Sequence, residues 1–233
     1  MNIFERIHVK CFRRLRDVDL KLKPLNVLIG ANGSGKTTLL DVFSLLSASA
    51  AGDLKATISE YGGVDSNLTA RSPVTKEKPK YVQFNVEKSV RGHAPLKYTI
   101  GLMPSGASYE IPHELLTQHS DASKPAPMKY IQSNHASIHY FDPDKNKLLS
   151  PEWEHDPLES ALSQVPKMYQ EPEDFRKGLA SSTHYHVLDV SPRAPVRLPQ
   201  QVREAKLPGK DGEDMVSCLY WMREAEPGSV RDN

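Results

Sequence analysis

The stretch that decides the fold runs from residue 25 to residue 46 and reads Leu25-Asn26-Val27-Leu28-Ile29-Gly30-Ala31-Asn32-Gly33-Ser34-Gly35-Lys36-Thr37-Thr38-Leu39-Leu40-Asp41-Val42-Phe43-Ser44-Leu45-Leu46. Residues 25–29 are mostly apolar and partly β-branched, which is typical of a short buried strand. The last nine residues carry apolar side chains at helical spacing and predict an amphipathic helix whose buried face holds Leu39, Val42, Phe43 and Leu46. The segment therefore predicts a strand, a glycine loop and a helix in that order.

The glycine loop matches the pattern G-x-x-x-x-G-K-[ST] at every fixed position over residues 30–37. Glycines permit the backbone angles that point successive N–H groups toward a polyphosphate, and the following helix adds its own unpaired N–H groups. A lysine supplies a charge for the β- and γ-phosphates, and a threonine hydroxyl is placed to bind Mg²⁺. The loop therefore predicts a nucleotide-phosphate site, and the alternative is a glycine-rich turn with an exposed lysine.

Each residue of this segment has a predicted role at that site. Lys36 is the predicted catalytic residue, Thr37 is the predicted metal ligand, and Thr38 is a predicted contact of the α-phosphate. The residues predicted to bind the nucleotide are Gly30, Ala31, Asn32, Gly33, Ser34, Gly35, Lys36, Thr37 and Thr38.

Composition places limits on the class of protein. The chain has 233 residues with 30 Lys and Arg against 29 Asp and Glu, a net charge of +1, which excludes a uniformly basic nucleic-acid coat and an acidic tail protein. No apolar run approaches the ~18–20 residues of a membrane span. The first residues lack the pattern of a signal peptide, and two cysteines cannot form a disulfide framework. We therefore expect a cytoplasmic protein with no membrane contact.

The residues before the glycine loop predict two strands joined by a turn, and the second strand places Val18, Leu20 and Leu22 on one face. The segments Cys11-Phe12-Arg13-Arg14-Leu15-Arg16-Asp17 and Pro24-Leu25-Asn26-Val27-Leu28-Ile29-Gly30 resemble the opening of the ABC-type ATPases of the RecF/SMC/OLD group. Bacterial AAA-family predicted ATPases share this opening. The specific part of the resemblance covers residues 11–41.

The resemblance implies an α/β fold, namely a P-loop NTPase lobe of the ABC-ATPase-head type. In such a lobe a mixed sheet carries the glycine loop, and an antiparallel β meander packs against it. Alternating residues predict meander strands at 81–87 and 96–102, and the run at 138–141 indicates a further strand. Residues 109–116 resemble a strand of the family. Residues 53–61 predict a helix, and in the family a glycine pair such as Gly62-Gly63 closes this helix.

The expected organisation is a single N-terminal ATPase lobe over residues 1–233. Within it, residues 1–63 form the strand–P-loop–helix core and residues 64–150 form the meander and its loops. Residues 151–233 form a helical and loop segment that leads to a C-terminal lobe, which the chain does not include.

The resemblance also implies ATP and Mg²⁺ as cofactors. Arg13 stands where the family has a basic residue that reaches toward the nucleotide phosphates, and the alternative is a solvated arginine on an edge strand. Arg14 and Arg16 are expected to be surface charge. In the family, two copies sandwich ATP and hydrolysis opens and closes the dimer, in nucleic-acid maintenance or in defence against phage and plasmids.

Two further elements of such ATPases are not matched here. Hydrolysis needs an apolar strand ending in Asp-Glu and a glycine-containing signature motif. The candidate strand, residues 183–190, carries Asp189 but has Val190 in place of the glutamate, and Leu162-Ser163-Gln164-Val165 lacks the signature glycines. We expect an ATPase by family with slow hydrolysis by this chain alone. The alternative is a non-hydrolysing ATP-binding scaffold that assembles with a nuclease or toxin partner.

Residues 1–24 concentrate positive charge, with seven Lys and Arg against three Asp and Glu, although the whole chain is nearly neutral. This local excess favours a confined DNA contact, because phosphate backbones attract clustered cations. The alternative is ordinary surface charge on a strand.

Overall fold

The computed structural model describes residues 4–70, 78–119, 126–135, 137–165, 170–182, 191–199, 201–205, 207–209 and 212–225. The chain divides into two compact units, Met1–Ser182 and Thr183–Asn233. The glycine loop and the predicted meander both lie in the first unit.

The described part of the first unit contains nine strands and four helices. The strands are β1 (Phe4–Phe12), β2 (Leu15–Lys21), β3 (Val82–Val90), β4 (His93–Ser105), β5 (Ser108–Glu110), β6 (His113–Gln118), β7 (Met128–Asn134), β8 (Ser137–Asp142) and β9 (Lys147–Leu149). The helices are α1 (Lys36–Ala51), α2 (Leu54–Glu60), α3 (Val64–Asn67) and α4 (Gln170–Ala180).

The strands form one sheet in the order β2-β1-β3-β4-β6-β7-β8-β9, and β5 pairs with β4. Every pairing is antiparallel, and β3 shows how the sheet is half buried. Val82, Phe84 and Val86 lie in the core, while the residues between them are partly exposed. One face of the sheet therefore carries the core, as is usual for antiparallel sheets. The α/β class and the antiparallel meander are confirmed.

Helix α1 shares one hydrophobic core with the buried face of the sheet and packs against α4 and α2. It contributes Leu39, Val42 and Leu46 to the core, as the helical spacing predicts, and Phe43 is partly buried against it. The helix ends at Ala51 and is capped by Gly52, whose φ is +88° and whose N–H donates to the Ala48 carbonyl at 3.0 Å. The core therefore fixes α1, and its N-terminal end lies directly after the glycine loop.

The strand predicted at residues 25–29 does not form. These residues lie outside every strand, and Leu25, Val27 and Ile29 are 80%, 72% and 92% exposed. An apolar strand of this type needs neighbouring strands and cover on both faces, and none of the described strands pairs with it. The parallel pairing that a mixed sheet requires is consequently not found among the described residues.

The strand predicted over residues 109–116 is divided in two. β5 ends at Glu110 and β6 begins at His113, because Pro112 has no N–H to donate to a sheet ladder. The other predicted elements are confirmed as β3, β4, β8 and α2. The N–H of Gly63 donates to the Ile58 carbonyl at 2.9 Å and closes α2 as predicted.

A buried carboxylate joins the sheet to the turn at residues 160–165. Glu114, 1% exposed, accepts the N–H of Ala161 at 2.7 Å, the N–H of Leu162 at 2.8 Å and the hydroxyl of Tyr98 at 2.9 Å. Burial raises the pKa of Glu114 to about 7, and the three hydrogen bonds oppose that rise. Stability of the first unit is therefore linked to the protonation of one core residue.

We expect this linkage to be measurable. The folded state holds the Glu114 proton up to about pH 7, whereas the unfolded chain releases it near pH 4.5. The contribution of Glu114 to the free energy of unfolding is therefore fully present below pH 4.5 and decreases by up to about 3 kcal/mol as pH rises to 7. Denaturant titrations at several pH values should show this decrease in the wild type and a flatter profile for Glu114→Gln.

The control is Glu60→Gln, which removes an exposed carboxylate at the end of α2 and should leave the pH profile of unfolding as in the wild type. A Glu114→Gln profile parallel to that of the wild type would show that folding does not raise the pKa of Glu114.

The second unit contains a short 3₁₀ helix, Pro195–Arg197, and helix α5 (Met215–Ala225). Arg203 pairs with Asp214 at 2.5 Å and accepts the indole N–H of Trp221 on its carbonyl at 2.9 Å. Helix α5 exposes several apolar side chains, among them Leu219 and Met222. Among the described residues of either unit, no helix has the length and apolar character needed to cross a bilayer.

Candidate functional site

The glycine loop leads directly into the N-terminus of α1. Gly33 and Gly35 have φ of +77° and +101°, in the left-handed region that favours glycine. Gly35 is the N-cap of α1, and no side chain caps it. The first helical bond runs from the Leu39 N–H to the Gly35 carbonyl at 2.9 Å, so the three preceding N–H groups have no partner within the helix. Such an end is suited to an anion.

The Lys36 ammonium folds back over this loop. Its Nζ donates to the carbonyl of Gly30 at 2.7 Å and to the carbonyl of Ala31 at 2.8 Å. The charge of Lys36 is thereby held against the loop rather than directed into solvent. A phosphate oxygen carries a full charge and is a stronger acceptor than a carbonyl, so it competes favourably for the same ammonium.

The two threonines of the predicted site lie in the first turn of α1. Thr37 is exposed and Thr38 is partly exposed, and neither hydroxyl has a hydrogen bond within the described part of the chain. Both hydroxyls are therefore accessible, which fits the predicted metal and phosphate contacts. The uncapped helix end, the lysine and the accessible Thr37 hydroxyl together fit a triphosphate with its Mg²⁺.

A second element packs against the loop, namely the β1–β2 tip, defined here as residues 11–15. The Arg14 Nη1 donates to the carbonyl of Gly33 at 2.8 Å. A Cβ on Gly35 would lie 3.1 Å from the Leu15 side chain, so the tip and the loop are in close contact. Arg14 is exposed, as expected for surface charge, and its contact with the loop is a feature that the sequence did not indicate.

Arg13 faces away from this contact toward α1 and α3. It forms an ion pair with Asp41, and its Nε donates to the Asn67 side-chain oxygen at 2.6 Å. Its guanidinium carbon also lies 4.9 Å from the ring centre of Tyr61, a cation–π contact. The contact of Arg13 with nucleotide stays a prediction, while its observed partners join the β1–β2 tip to α1 and α3.

Asn67 completes this network and had no distinguishing signal in the sequence. It is 5% exposed, and its amide donates to the carbonyls of Tyr61 at 2.8 Å and Gly63 at 2.6 Å. Its own carbonyl accepts the N–H of Arg13 at 2.7 Å. A side chain with these partners fixes the path of the chain after α2, and its role is evident only from the folded contacts.

We expect Arg13→Ala to lower the free energy of unfolding by about 2–3 kcal/mol, because it leaves Asp41 and the buried Asn67 oxygen without their donor. Chemical denaturation without nucleotide measures this change. Arg16→Ala is the control, because the Arg16 side chain is exposed and has no hydrogen bond to the described residues; it should change stability by less than about 0.5 kcal/mol.

If Arg13→Ala kept wild-type stability but bound nucleotide more weakly, the residue would act at the phosphates rather than in the scaffold.

Two segments are candidates for the catalytic elements that the sequence does not match, and the structure describes one of them. Residues 183–190, with Asp189, lie outside the described residues. The segment Leu162–Val165 forms part of the turn held by Glu114. In the described ranges no group of three metal-ligating side chains is found, and no carboxylate there is hydrogen-bonded to Lys36 or Thr37.

An α/β unit with a glycine loop ending in Lys36-Thr37 at a helix N-terminus defines the class of P-loop NTPases. A family model described as an AAA ATPase domain matches residues 1–154, and the chain belongs to that family. Over 44 residues the chain is 48% identical to "OLD nuclease" of Thermus scotoductus; this stretch is 19% of the chain and 8% of that protein. The match therefore spans less than a tenth of the relative.

These findings confirm the resemblance to the ATPases of the RecF/SMC/OLD group. Membership of an ATPase domain family implies that the chain is a nucleotide-binding protein, with ATP as the nucleotide.

Proposed function

We propose that the chain binds ATP with Mg²⁺ at residues 30–38 and forms the N-terminal lobe of a cytoplasmic ATPase. The observation that carries the proposal is the Lys36 ammonium held on the carbonyls of Gly30 and Ala31 beside the uncapped end of α1. A charge and several free N–H groups at one place match the needs of a polyphosphate.

Each part of the loop has a role in this proposal. The N–H groups at the start of α1 donate hydrogen bonds to the phosphate oxygens. Lys36 exchanges its two carbonyl partners for oxygens of the β- and γ-phosphates. The Thr37 hydroxyl is a ligand of Mg²⁺, which neutralises charge on the phosphates when bound. The Thr38 hydroxyl contacts the α-phosphate. The remaining loop residues, 30–35, contribute through their backbone.

The exposed segment at residues 25–29 supports the idea that this lobe is completed by further structure. Three of its apolar side chains are more than 70% exposed directly before the loop. Burial of such side chains is favourable by about 1.5–3 kcal/mol each. We propose that a strand of a C-terminal lobe covers them, either on the same polypeptide or on another, and that two completed heads sandwich ATP.

The reaction and pathway proposed for the completed protein follow its family. Binding of ATP between two heads closes the dimer, and hydrolysis opens it, in nucleic-acid maintenance or in defence against phage. The positive charge of residues 1–24 supports a DNA contact, although Arg6 and His8 on β1 already pair with Asp19 and Asp17 on β2. These two pairs leave the local excess unchanged, because Asp17 and Asp19 are already counted among the three acids. The ion pair of Arg13 with Asp41, by contrast, removes one cation from the excess.

A second candidate is a non-hydrolysing ATP-binding scaffold that assembles with a nuclease or toxin. It is favoured by the observation that no carboxylate of the described residues contacts Lys36 or Thr37, because hydrolysis requires an acid to position the attacking water. The name of the Thermus relative, "OLD nuclease", supports a nuclease as the partner.

Saturating ATP with Mg²⁺ should raise the melting temperature of the chain. At a hundredfold excess over Kd, binding stabilises the folded state by about 2.7 kcal/mol, which is roughly 5–10 °C for a chain of this size. Differential scanning fluorimetry should show this shift in the wild type and in Lys23→Ala, an exposed lysine outside the loop. Lys36→Ala should show less than a quarter of it, and an equal shift in Lys36→Ala would argue against the site.

A phosphate-release assay separates the two candidate functions. The ATPase candidate predicts Mg²⁺-dependent release that Lys36→Ala abolishes, because the lysine stabilises the transferred phosphate. The scaffold candidate predicts that ATP binds with the thermal shift described above and is recovered intact after prolonged incubation.

A further inference from the structure

Arg14 has one described polar contact, and that contact is with the glycine loop. Its Nη1 donates to the carbonyl of Gly33 at 2.8 Å. Within the described residues, it is the one side chain from outside the loop that hydrogen-bonds to residues 30–35. A Cβ on Gly33 would lie 3.3 Å from the same nitrogen, so the approach depends on glycine at that position.

The peptide that joins Gly33 to Ser34 has a second contact, made by the N–H of Ser34. This N–H shares its acceptor, the Ala31 carbonyl oxygen, with the Lys36 ammonium. The N–H of Ser34 and the Nζ of Lys36 both reach the carbonyl of Ala31, at 3.2 Å and 2.8 Å. The Ser34 contact is long for an N–H···O bond and easily exchanged. An acceptor at the position of the Ala31 oxygen therefore receives hydrogen bonds from both a backbone N–H and an ammonium.

The geometry of the peptide links these two observations. In a trans peptide the carbonyl of Gly33 and the N–H of Ser34 point in opposite directions. A guanidinium that holds the carbonyl therefore fixes the direction of the N–H. It also withdraws electron density from the peptide, which makes that N–H a stronger donor.

We propose that Arg14 is a positioning residue for the phosphates of a nucleoside triphosphate. By holding the Gly33 carbonyl, it keeps the Ser34 N–H directed at the same acceptor position as the Lys36 ammonium. A phosphate oxygen then replaces the Ala31 carbonyl as the acceptor of both donors. This inference rests on the proposed function, because it assigns a role within the same nucleotide site.

Arg14 is better placed for this role than its neighbour. The guanidinium of Arg13 is bound to Asp41 and Asn67, and its side chain is 29% exposed. Arg14 has no carboxylate partner among the described residues, and its guanidinium contacts the loop itself. The two adjacent arginines thus have different partners, one on the scaffold and one on the phosphate loop.

The test measures binding of ATP and of inorganic tripolyphosphate to the full chain by isothermal titration calorimetry. We expect Arg14→Ala to raise Kd about tenfold for both ligands, because a charge-assisted bond to the loop is lost. Equal losses for both ligands are expected because the role concerns phosphate and not the base. Arg14→Lys should recover part of the affinity, since it keeps the charge with fewer donors.

The melting temperature without ligand separates a positioning role from a structural one. Arg14→Ala should melt within about 2 °C of the wild type, because an exposed side chain with one hydrogen bond contributes little to stability. Arg16→Ala, the neighbouring exposed arginine, should match the wild type in both affinity and melting temperature.

Wild-type affinity in Arg14→Ala overturns this inference and leaves the proposed function intact, provided that Lys36→Ala abolishes binding. A large fall in the ligand-free melting temperature of Arg14→Ala, with no recovery of affinity in Arg14→Lys, also overturns it. Absence of ATP binding to the wild type overturns the proposed function and this inference together.

Discussion

The contact between the β1–β2 tip and the glycine loop is the constraint on which the rest of the first unit depends. A loop rich in glycine has many accessible backbone conformations and few side chains with which to hold one of them. Here neighbours supply that restraint: Arg14 binds the Gly33 carbonyl, and Leu15 lies against Gly35. The same tip reaches α1 through the Arg13–Asp41 pair. The conformation of the loop is therefore tied to the hairpin and to the helix that follows.

The sheet and its helices hold this arrangement in place. Because one face of the antiparallel sheet forms the core, α1 has to pack on that face, and its uncapped end then lies where the loop enters. The buried carboxyl group of Glu114 joins β6 to the turn at residues 160–165. The stability of this tie depends on the protonation of a single core carboxyl group.

In the described part of the chain, the phosphate loop lies next to an apolar segment that no described strand covers. Lys36, the free N–H groups and the Thr37 hydroxyl are all present, which agrees with membership of the AAA ATPase domain family. The apolar segment at residues 25–29 is exposed beside them, because an apolar strand needs cover on both faces and the described strands supply none. We propose that the loop itself binds the nucleotide, and that a strand of a C-terminal lobe separately covers residues 25–29.

The sequence by itself determined the elements whose causes are local. The motif at residues 30–37, the helical spacing of α1, the alternation of β3 and β4, and the glycine pair after α2 follow from backbone preferences and from the period of each element. Tertiary structure decided what depends on distant neighbours: whether residues 25–29 pair, where Pro112 divides a strand, and which arginine reaches the loop. Arg13 and Arg14 are adjacent and chemically identical, so no local pattern separates them. Their partners, Asp41 on α1 and Gly33 in the loop, come within reach only when the hairpin packs against both.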